Sequence, residues 1–315
     1  MLTGHQPSEP SDHNGAGIDM QPTSPFTPNR TSSRRDLPQP ILEARGIVKV
    51  LGNPGAENTV LKGIDLVLIP GELTLLMGPS GSGKTTLLSI LGCILTPTDG
   101  ELTIAGEQAT GLSADGLADL RRSHVGFVFQ SYNLFPTLTA LENVKLALEL
   151  RGTAPADVGR LAAEAIGSVG LSHRADAFPN RMSGGEKQRV AIARALAGSP
   201  SVVLADEPTA ALDSENGKAV MALLAEAAKD PTRAVLAVTH DHRTLAYADR
   251  IVRIEDGHIA SDERPGEIAT SQAKRSKCHA AEASNAPTKP RKPRKPRNTP
   301  ANSGSSNLKG SHFDV

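Results

Sequence analysis

The chain reads as an α/β protein built on a mostly parallel central sheet. Short apolar runs alternate with longer amphipathic ones from Ile41 to about Ile259, three of the short runs (LTLLMG, SVVLAD, AVLAVTH) are continuously apolar, and a glycine-rich loop follows the first of these and opens a helix. Strands that cross over through helices produce the alternation. Continuous apolar character is what a parallel strand requires when both of its faces are covered.

Taken in order, strands are predicted over Leu61 to Leu68, Leu73 to Met77, Val125 to Phe129, Val202 to Ala205, Ala234 to Val238 and Ile251 to Ile254. Helices are predicted over Lys84 to Leu91, Ala140 to Arg151, Ala156 to Val169, Gly184 to Ala197 and Ser214 to Ala228. Thr137 to Arg189 carries no strong strand signal, so a helical insertion is expected over about 137–189. Thr139 and Glu142 form a capping-box pattern that starts a helix inside it.

The bounds on function come from length and composition. The 315 residues suffice for a sizeable buried core. Lys and Arg total 34 against 34 Asp and Glu, which excludes a wholly basic nucleic-acid binder. The two cysteines, Cys93 and Cys278, cannot form a disulfide scaffold or a four-cysteine zinc site, and a reducing setting is expected. No stretch reaches the roughly eighteen uninterrupted apolar residues of a membrane-spanning helix. The first residues lack the positive start and apolar run of a secretory signal, so a soluble, cytoplasmic protein is expected unless a partner holds it at a membrane.

Two flanking zones differ from the body. Residues 1–40 are rich in Pro, Ser, Thr, Asn and Asp, and residues 266–315 share that poverty in large apolar side chains; both are expected to be disordered. The ordered part is then expected over 41–265. From Gln272 onward there are ten Lys and Arg against two acidic residues, leaving 24 against 32 in the remainder. The neutral total therefore conceals an acidic body and a basic tail. Lys289 to Arg297 is a Lys/Arg-Pro repeat, extended and solvated in character. A passive solubilising tail and a contact with anionic lipids are both open to it.

After the strand LTLLM stand Gly78, Pro79, Ser80, Gly81, Ser82, Gly83, Lys84, Thr85 and Thr86, which match G-x-x-x-x-G-K-[ST] in its strand, loop, helix setting. Glycines let successive N–H groups face inward, while the helix presents its positive end to an anion. This is a nucleotide phosphate loop of the P-loop NTPase type. Lys84 is assigned to the β and γ phosphates and the Thr85 hydroxyl to Mg2+.

SVVLADEP ends a strand in Asp206 and Glu207. Carboxylates at the C-terminal end of a parallel strand lie beside the ligand crevice, so Asp206 is the metal candidate and Glu207 the candidate base for an attacking water. Ser183, Gly184, Gly185 and Glu186 open the helix before VAIARALA. Ser183 and Glu186 make a capping box that suffices as a helix start, while the two glycines leave the helix end bare for a second anion.

With these residues in view, the chain resembles the ATP-binding cassette family. Phosphate loop, Gln130 after the strand GFVF, Ser183-Gly184-Gly185, Asp206-Glu207, Ala211-Leu212-Asp213 and Thr239-His240-Asp241 occur in the family's order across nearly all of 41–259. The resemblance implies a mostly parallel sheet with an antiparallel β subdomain and the helical insertion. It implies a head-to-tail homodimer with two ATP molecules, each between one subunit's phosphate loop and the other's Ser183-Gly184-Gly185 segment. By the same resemblance Glu207 is the general base, His240 holds the γ phosphate, Gln130 contacts Mg2+ or water and senses a membrane partner, and Asp213 lines the dimer seam. Two positions depart from the family's habit: Leu51 stands about thirty residues before Lys84, where an aromatic often stacks on adenine, and Met182 replaces the leucine that usually precedes the serine.

RRSHVGFVFQSYNLFPTLTALENV, LADEPTAALDS and VTHDHRTLAYADRIVRIEDGHI look like the ATPases of macrolide, lipoprotein-release and glycolipid exporters, especially the heterocyst glycolipid type. The resemblance implies a subunit peripheral to the cytoplasmic face of the inner membrane, serving separate permease subunits contacted near Gln130 and Thr137 to Val144. Nucleic acid is not expected as a partner. A cassette ATPase acting on nucleic acid or ribosomes is the alternative, but one cassette without a long coiled-coil or zinc-hook insertion speaks against it.

Overall fold

The structure, a computed structural model, describes residues 39–265. The rest of the two flanking zones, with the Lys289 to Arg297 repeat, lies outside the described residues.

Two sheets organise the described chain. β1 (Leu42–Leu51), β2 (Asn58–Leu68), β4 (Asp99–Ile104) and β5 (Glu107–Gln108) form an antiparallel sheet in the order β2-β1-β4-β5. β3 (Leu73–Met77), β6 (Val125–Val128), β7 (Val202–Asp206), β8 (Ala234–Val238), β9 (Arg250–Glu255) and β10 (His258–Glu263) form the second, in the order β10-β9-β3-β8-β7-β6. All neighbours in it are parallel except β10, which turns back on β9.

The continuous apolar runs are explained by what lies on each face. Leu73, Leu75, Met77, Val203, Ala205, Val235 and Ala237 point into one cluster, shared with α3 (Ala140–Leu150), α4 (Pro155–Ser168), α5 (Gly184–Leu196) and α6 (Ser214–Ala228). Their neighbours Leu76, Val202, Leu204, Ala234, Leu236 and Val238 point into the other, with α1 (Lys84–Leu91) and the antiparallel sheet. Every residue of β3 and β8 is buried. At about 25 cal/mol per Å² of apolar area removed from water, such two-sided burial is the main term holding the sheet.

The predicted strands and helices occur within a few residues of the expected bounds. Between β6 and β7 the described chain has no strand, only α3, α4, two short 3-10 turns and α5. β1, β4, β5, β10 and α2 (Ala114–His124) are added to the sequence expectations. Val125 to Phe129 ends one residue early, at Val128.

Packing explains several small residues. A Cβ on Gly126 would come within 2.2 Å of the Ala195 carbonyl oxygen, so β6 can lie against α5 only with glycine there. Met182 is buried, as expected of a residue replacing leucine in an apolar socket.

Candidate nucleotide site

The C-terminal ends of the parallel strands build the site, as expected for an open α/β sheet. β3 delivers the phosphate loop, β6 delivers Gln130, β7 ends at Asp206 beside Glu207, and β8 runs into Thr239 and His240. Gly78, Pro79, Ser80, Gly81, Gly83, Lys84, Thr85, Thr86, Gln130, Glu207 and His240, with Val60 of β2, line one open cleft of about 710 Å³.

The loop is shaped for an anion. Gly78, Gly81 and Gly83 all have φ in the positive region, and a Cβ on Gly78 would fall 2.1 Å from the Ile254 carbonyl oxygen. Gly83 caps α1 without any side-chain hydrogen bond, whereas Thr139, Ser183 and Asp213 cap α3, α5 and α6 with theirs. The first N–H groups of α1 are thus left for a ligand. Lys84 Nζ donates to the carbonyls of Gly78 at 2.9 Å and Pro79 at 2.7 Å, which holds its charge at the mouth of the loop. Ser82 is the loop residue turned away: it is buried, and its hydroxyl has no protein partner.

Asp206 and Glu207 differ although adjacent. Asp206 Oδ1 is buried without a hydrogen-bond partner. Burial, and then the Glu207 charge, push its carboxyl above the usual aspartate range, while Lys84 and a hydrogen bond from Thr85 pull it down. An orphaned carboxylate oxygen beside a threonine hydroxyl is the hard-oxygen donor set that suits Mg2+, which takes few protein ligands and leaves positions for phosphate and water. Glu207 adopts φ 46°, and its N–H donates to the Val238 carbonyl at 3.0 Å. Its Oε1 lies 2.9 Å from His240 Nδ1.

Ser183, Gly184, Gly185, Glu186 and Asp213 do not line this cleft. The Ser183 hydroxyl accepts from the Glu186 N–H at 3.2 Å, and Glu186 Oε2 accepts from the Ser183 N–H at 2.7 Å. Glu186 Oε1 takes the Arg174 Nε–H at 2.9 Å, so that carboxylate is occupied by its own helix start and by Arg174 of a preceding 3-10 turn. The Ser183 N–H is the largest of the causes that lower its pKa. Gly185 has a steric reason invisible in the sequence, since a Cβ there would meet Asn216 Oδ1 at 2.3 Å. Asn216 is fixed by Asp213, which accepts from its backbone N–H at 2.9 Å and its amide at 2.7 Å.

Sequence reasoning passed over Val60, Tyr132 and Arg194, of which Val60 lines the cleft. Val60 is one valine among many strand valines, and nothing in its neighbourhood marks it.

The fold and this constellation define a P-loop ATPase of the cassette class. The family described as ABC transporter matches residues 61–210. The structure is similar to the dimeric post-hydrolysis state of the ATP-binding cassette MJ0796 bound to ADP and Pi, with a TM-score of 0.66 and 39% identity, covering 71% of this chain and 98% of that one. It is also similar to cbiO1 from Clostridium perfringens, part of the ABC transporter complex cbiONQ, with a TM-score of 0.65 and 29% identity over 74% of this chain and 92% of that one. Among curated relatives, the macrolide export ATP-binding/permease protein MacB of Wolinella succinogenes is 43% identical over 229 residues, 73% of this chain and 36% of the relative. The pyoverdine export ATP-binding/permease protein PvdT of Pseudomonas fluorescens is 46% identical over 224 residues, 71% of this chain and 34% of the relative. This chain belongs to the ABC transporter family and is an ATPase cassette of that family. It spans about a third of the length of those curated relatives.

Proposed function

We propose that the chain is the ATP-binding and hydrolysing subunit of an exporter, powering a separate membrane permease through ATP-driven, head-to-tail homodimerisation. The observation that carries the catalytic part is the convergence on one cleft of a phosphate loop with an uncapped helix and the Glu207–His240 pair at 2.9 Å. The exporter part rests on the printed names of the relatives, which are export proteins combining ATP-binding and permease functions. Homodimerisation rests on the dimeric cassette that the fold resembles.

In this reading, loop N–H groups from Gly78 to Thr86 and the Lys84 ammonium bind and orient the phosphates. Thr85, Asp206 and Gln130 would hold Mg2+, which when bound neutralises charge on the phosphate oxygens. Glu207 takes the proton of the attacking water, and His240 orients that carboxylate and meets the γ phosphate. Ser183, Gly184 and Gly185 supply the opposite wall of a second copy's nucleotide, with Asp213 at the seam.

The permease would dock near Gln130 and Thr137 to Val144, placing the chain peripherally on the cytoplasmic face of the membrane. No helix among the described residues is long and apolar enough to cross a membrane. The ordered cassette is assigned to 41–265, and for the basic tail both passive solubilisation and contact with anionic lipid stay open. Vesicle binding that survives removal of residues 272–315 would refute the lipid contact.

The deciding experiment is gentle detergent extraction of the tagged chain from its native membrane, identification of what co-purifies, and measurement of its ATP hydrolysis with and without that partner. A stoichiometric permease that stimulates turnover is expected. Recovery with ribosomes or nucleic acid alone would overturn the exporter reading.

A further inference from the structure

The loop after β6 holds two consecutive residues, Tyr132 and Asn133, in the left-handed region at φ 63° and 49°. A tyrosine there is sterically disfavoured, so surrounding contacts must hold it. The turn supplies some of them, with the Tyr132 N–H donating to the Phe129 carbonyl at 3.1 Å. Arg194, in the last turns of α5, supplies the rest: Nη2 donates to the Tyr132 carbonyl at 2.9 Å and Nη1 to the Asn133 carbonyl. A planar guanidinium can span two successive carbonyls in this way, whereas a lysine ammonium is a single point of charge. The Arg194 side chain is half-buried, as is Tyr132, while Asn133 is exposed, so the guanidinium holds the loop from its inner side.

The same loop touches the other end of α5. The Tyr132 hydroxyl stands 3.1 Å from where a Cβ of Gly184 would lie. Gln130, two residues before Tyr132, lines the cleft. One short loop is thus hydrogen-bonded to α5 by its backbone near the helix end and places a side chain against the helix start, while Gln130 faces the nucleotide cleft.

We propose that Arg194 is a positioning residue that locks the Gln130 loop to α5, so that Gln130 at one nucleotide and Ser183-Gly184-Gly185 at the nucleotide of a second copy move as one body. This rests on the ATP-sandwich reading above. Arg194 touches no substrate; it acts through the loop and the helix, so its loss lowers turnover and cooperativity without weakening the phosphate loop's hold on nucleotide.

The test uses the full-length chain with Arg194→Lys and Tyr132→Phe, each checked by thermal melting. Equilibrium binding of a fluorescent ATP analogue to the phosphate loop should stay within about twofold of wild type. For Arg194→Lys, kcat should fall about tenfold or more, as expected when a small misplacement spoils alignment, and the Hill coefficient should move toward one. Tyr132→Phe should lower kcat about threefold, and the double variant should lose less than the product of the two, because both loosen the same loop from the same helix. A well-folded Arg194→Lys chain with wild-type kcat, or one whose lost rate is explained by weaker nucleotide binding, overturns the proposal. If Arg194→Lys does not fold, Tyr132→Phe decides, and wild-type kcat and cooperativity in that variant overturn it. Hydrogen exchange gives a reading independent of turnover: amides of residues 130–134 and 183–186 should loosen together, and loosening confined to 130–134 overturns the proposal. A wild-type chain that hydrolyses no ATP even with its co-purifying partner refutes the proposed function instead, leaving exchange to judge this inference.

Discussion

His240 Nδ1 and Glu207 Oε1 lie 2.9 Å apart, joining the residue that follows β7 to the segment that follows β8. The two are unequally exposed: the Glu207 side chain is 16% accessible and the His240 side chain 71%. A shielded carboxylate with one exposed imidazole partner is suited to taking a proton from water, because the imidazole can fix its direction while its open side is free to meet a phosphate.

Glu207→Gln should therefore retain ATP with near wild-type affinity while hydrolysis falls by at least about 100-fold, the usual contribution of a positioned base. Single-turnover hydrolysis, with size-exclusion chromatography to follow the ATP-bound dimer, separates the two effects. Turnover within about tenfold of wild type would remove Glu207 from the proposed role.

Lys84 makes its contacts at 2.9 and 2.7 Å with carbonyls of its own loop, not with any carboxylate. Removing it breaks no ion pair but takes away the charge that draws the buried Asp206 carboxyl down, so Lys84→Ala should melt no higher than wild type at neutral pH. Nucleotide affinity should fall about 10- to 100-fold, the equivalent of one charge-assisted hydrogen bond of about 1.5–3 kcal/mol. Calorimetric titration with ATP checks this, and unchanged affinity would count against the phosphate-loop assignment.

Asp206 gives a pH signature. Its carboxyl is raised above the ordinary 3.8 by burial and by Glu207, so the folded protein binds that proton more tightly than the unfolded chain does. Stability from this group is fullest below the ordinary aspartate range and is lost as pH rises through the elevated value. Asp206→Asn removes the charge, so it should raise the melting temperature of the nucleotide-free protein at neutral pH, with the gain vanishing in acid. The same substitution should abolish Mg2+-dependent hydrolysis. A variant that is less stable than wild type at neutral pH would refute the account of the buried carboxylate.

The core and the phosphate loop were legible in the sequence because both depend on local pattern. β3, β7 and β8 are short runs buried on both faces, and the loop is a contiguous spacing of glycines, lysine and threonine. β1 was not legible, because its register against β2 slips between Ala44 and Ile47, between Ile47 and Val48 and between Lys49 and Val50, which breaks the period of two. α2 buries only Leu120, and β10 is mostly exposed or half-buried, so neither carries an apolar repeat. The partner of Tyr132 was beyond reach for a different reason: Arg194 lies 62 residues away, and nothing local distinguishes an arginine that binds carbonyls from a solvated one. Gly185 could be matched to a motif, but its crowding by Asn216 exists only once α5 and α6 pack.

Leu51 closes β1 directly opposite Asn58, and Asn58 shares its face of β2 with Val60, which lines the cleft. Leu51 is 41% exposed on that same face, beside the cleft rather than under the core. A ring at this position would have room to lie against a base bound there, and base-on-aromatic stacking contributes about 1–3 kcal/mol where the contact is well made. At a half-open position the lower end applies, so Leu51→Tyr should tighten ATP and ADP about three- to tenfold while leaving the affinity for inorganic triphosphate unchanged. Because the substitution acts on ground-state binding, KM should fall and kcat should hold. Binding titrations with ATP and triphosphate in parallel distinguish a base contact from a general change in the loop. Equal tightening of both ligands, or of neither, would mean that the base does not lie against this end of β1.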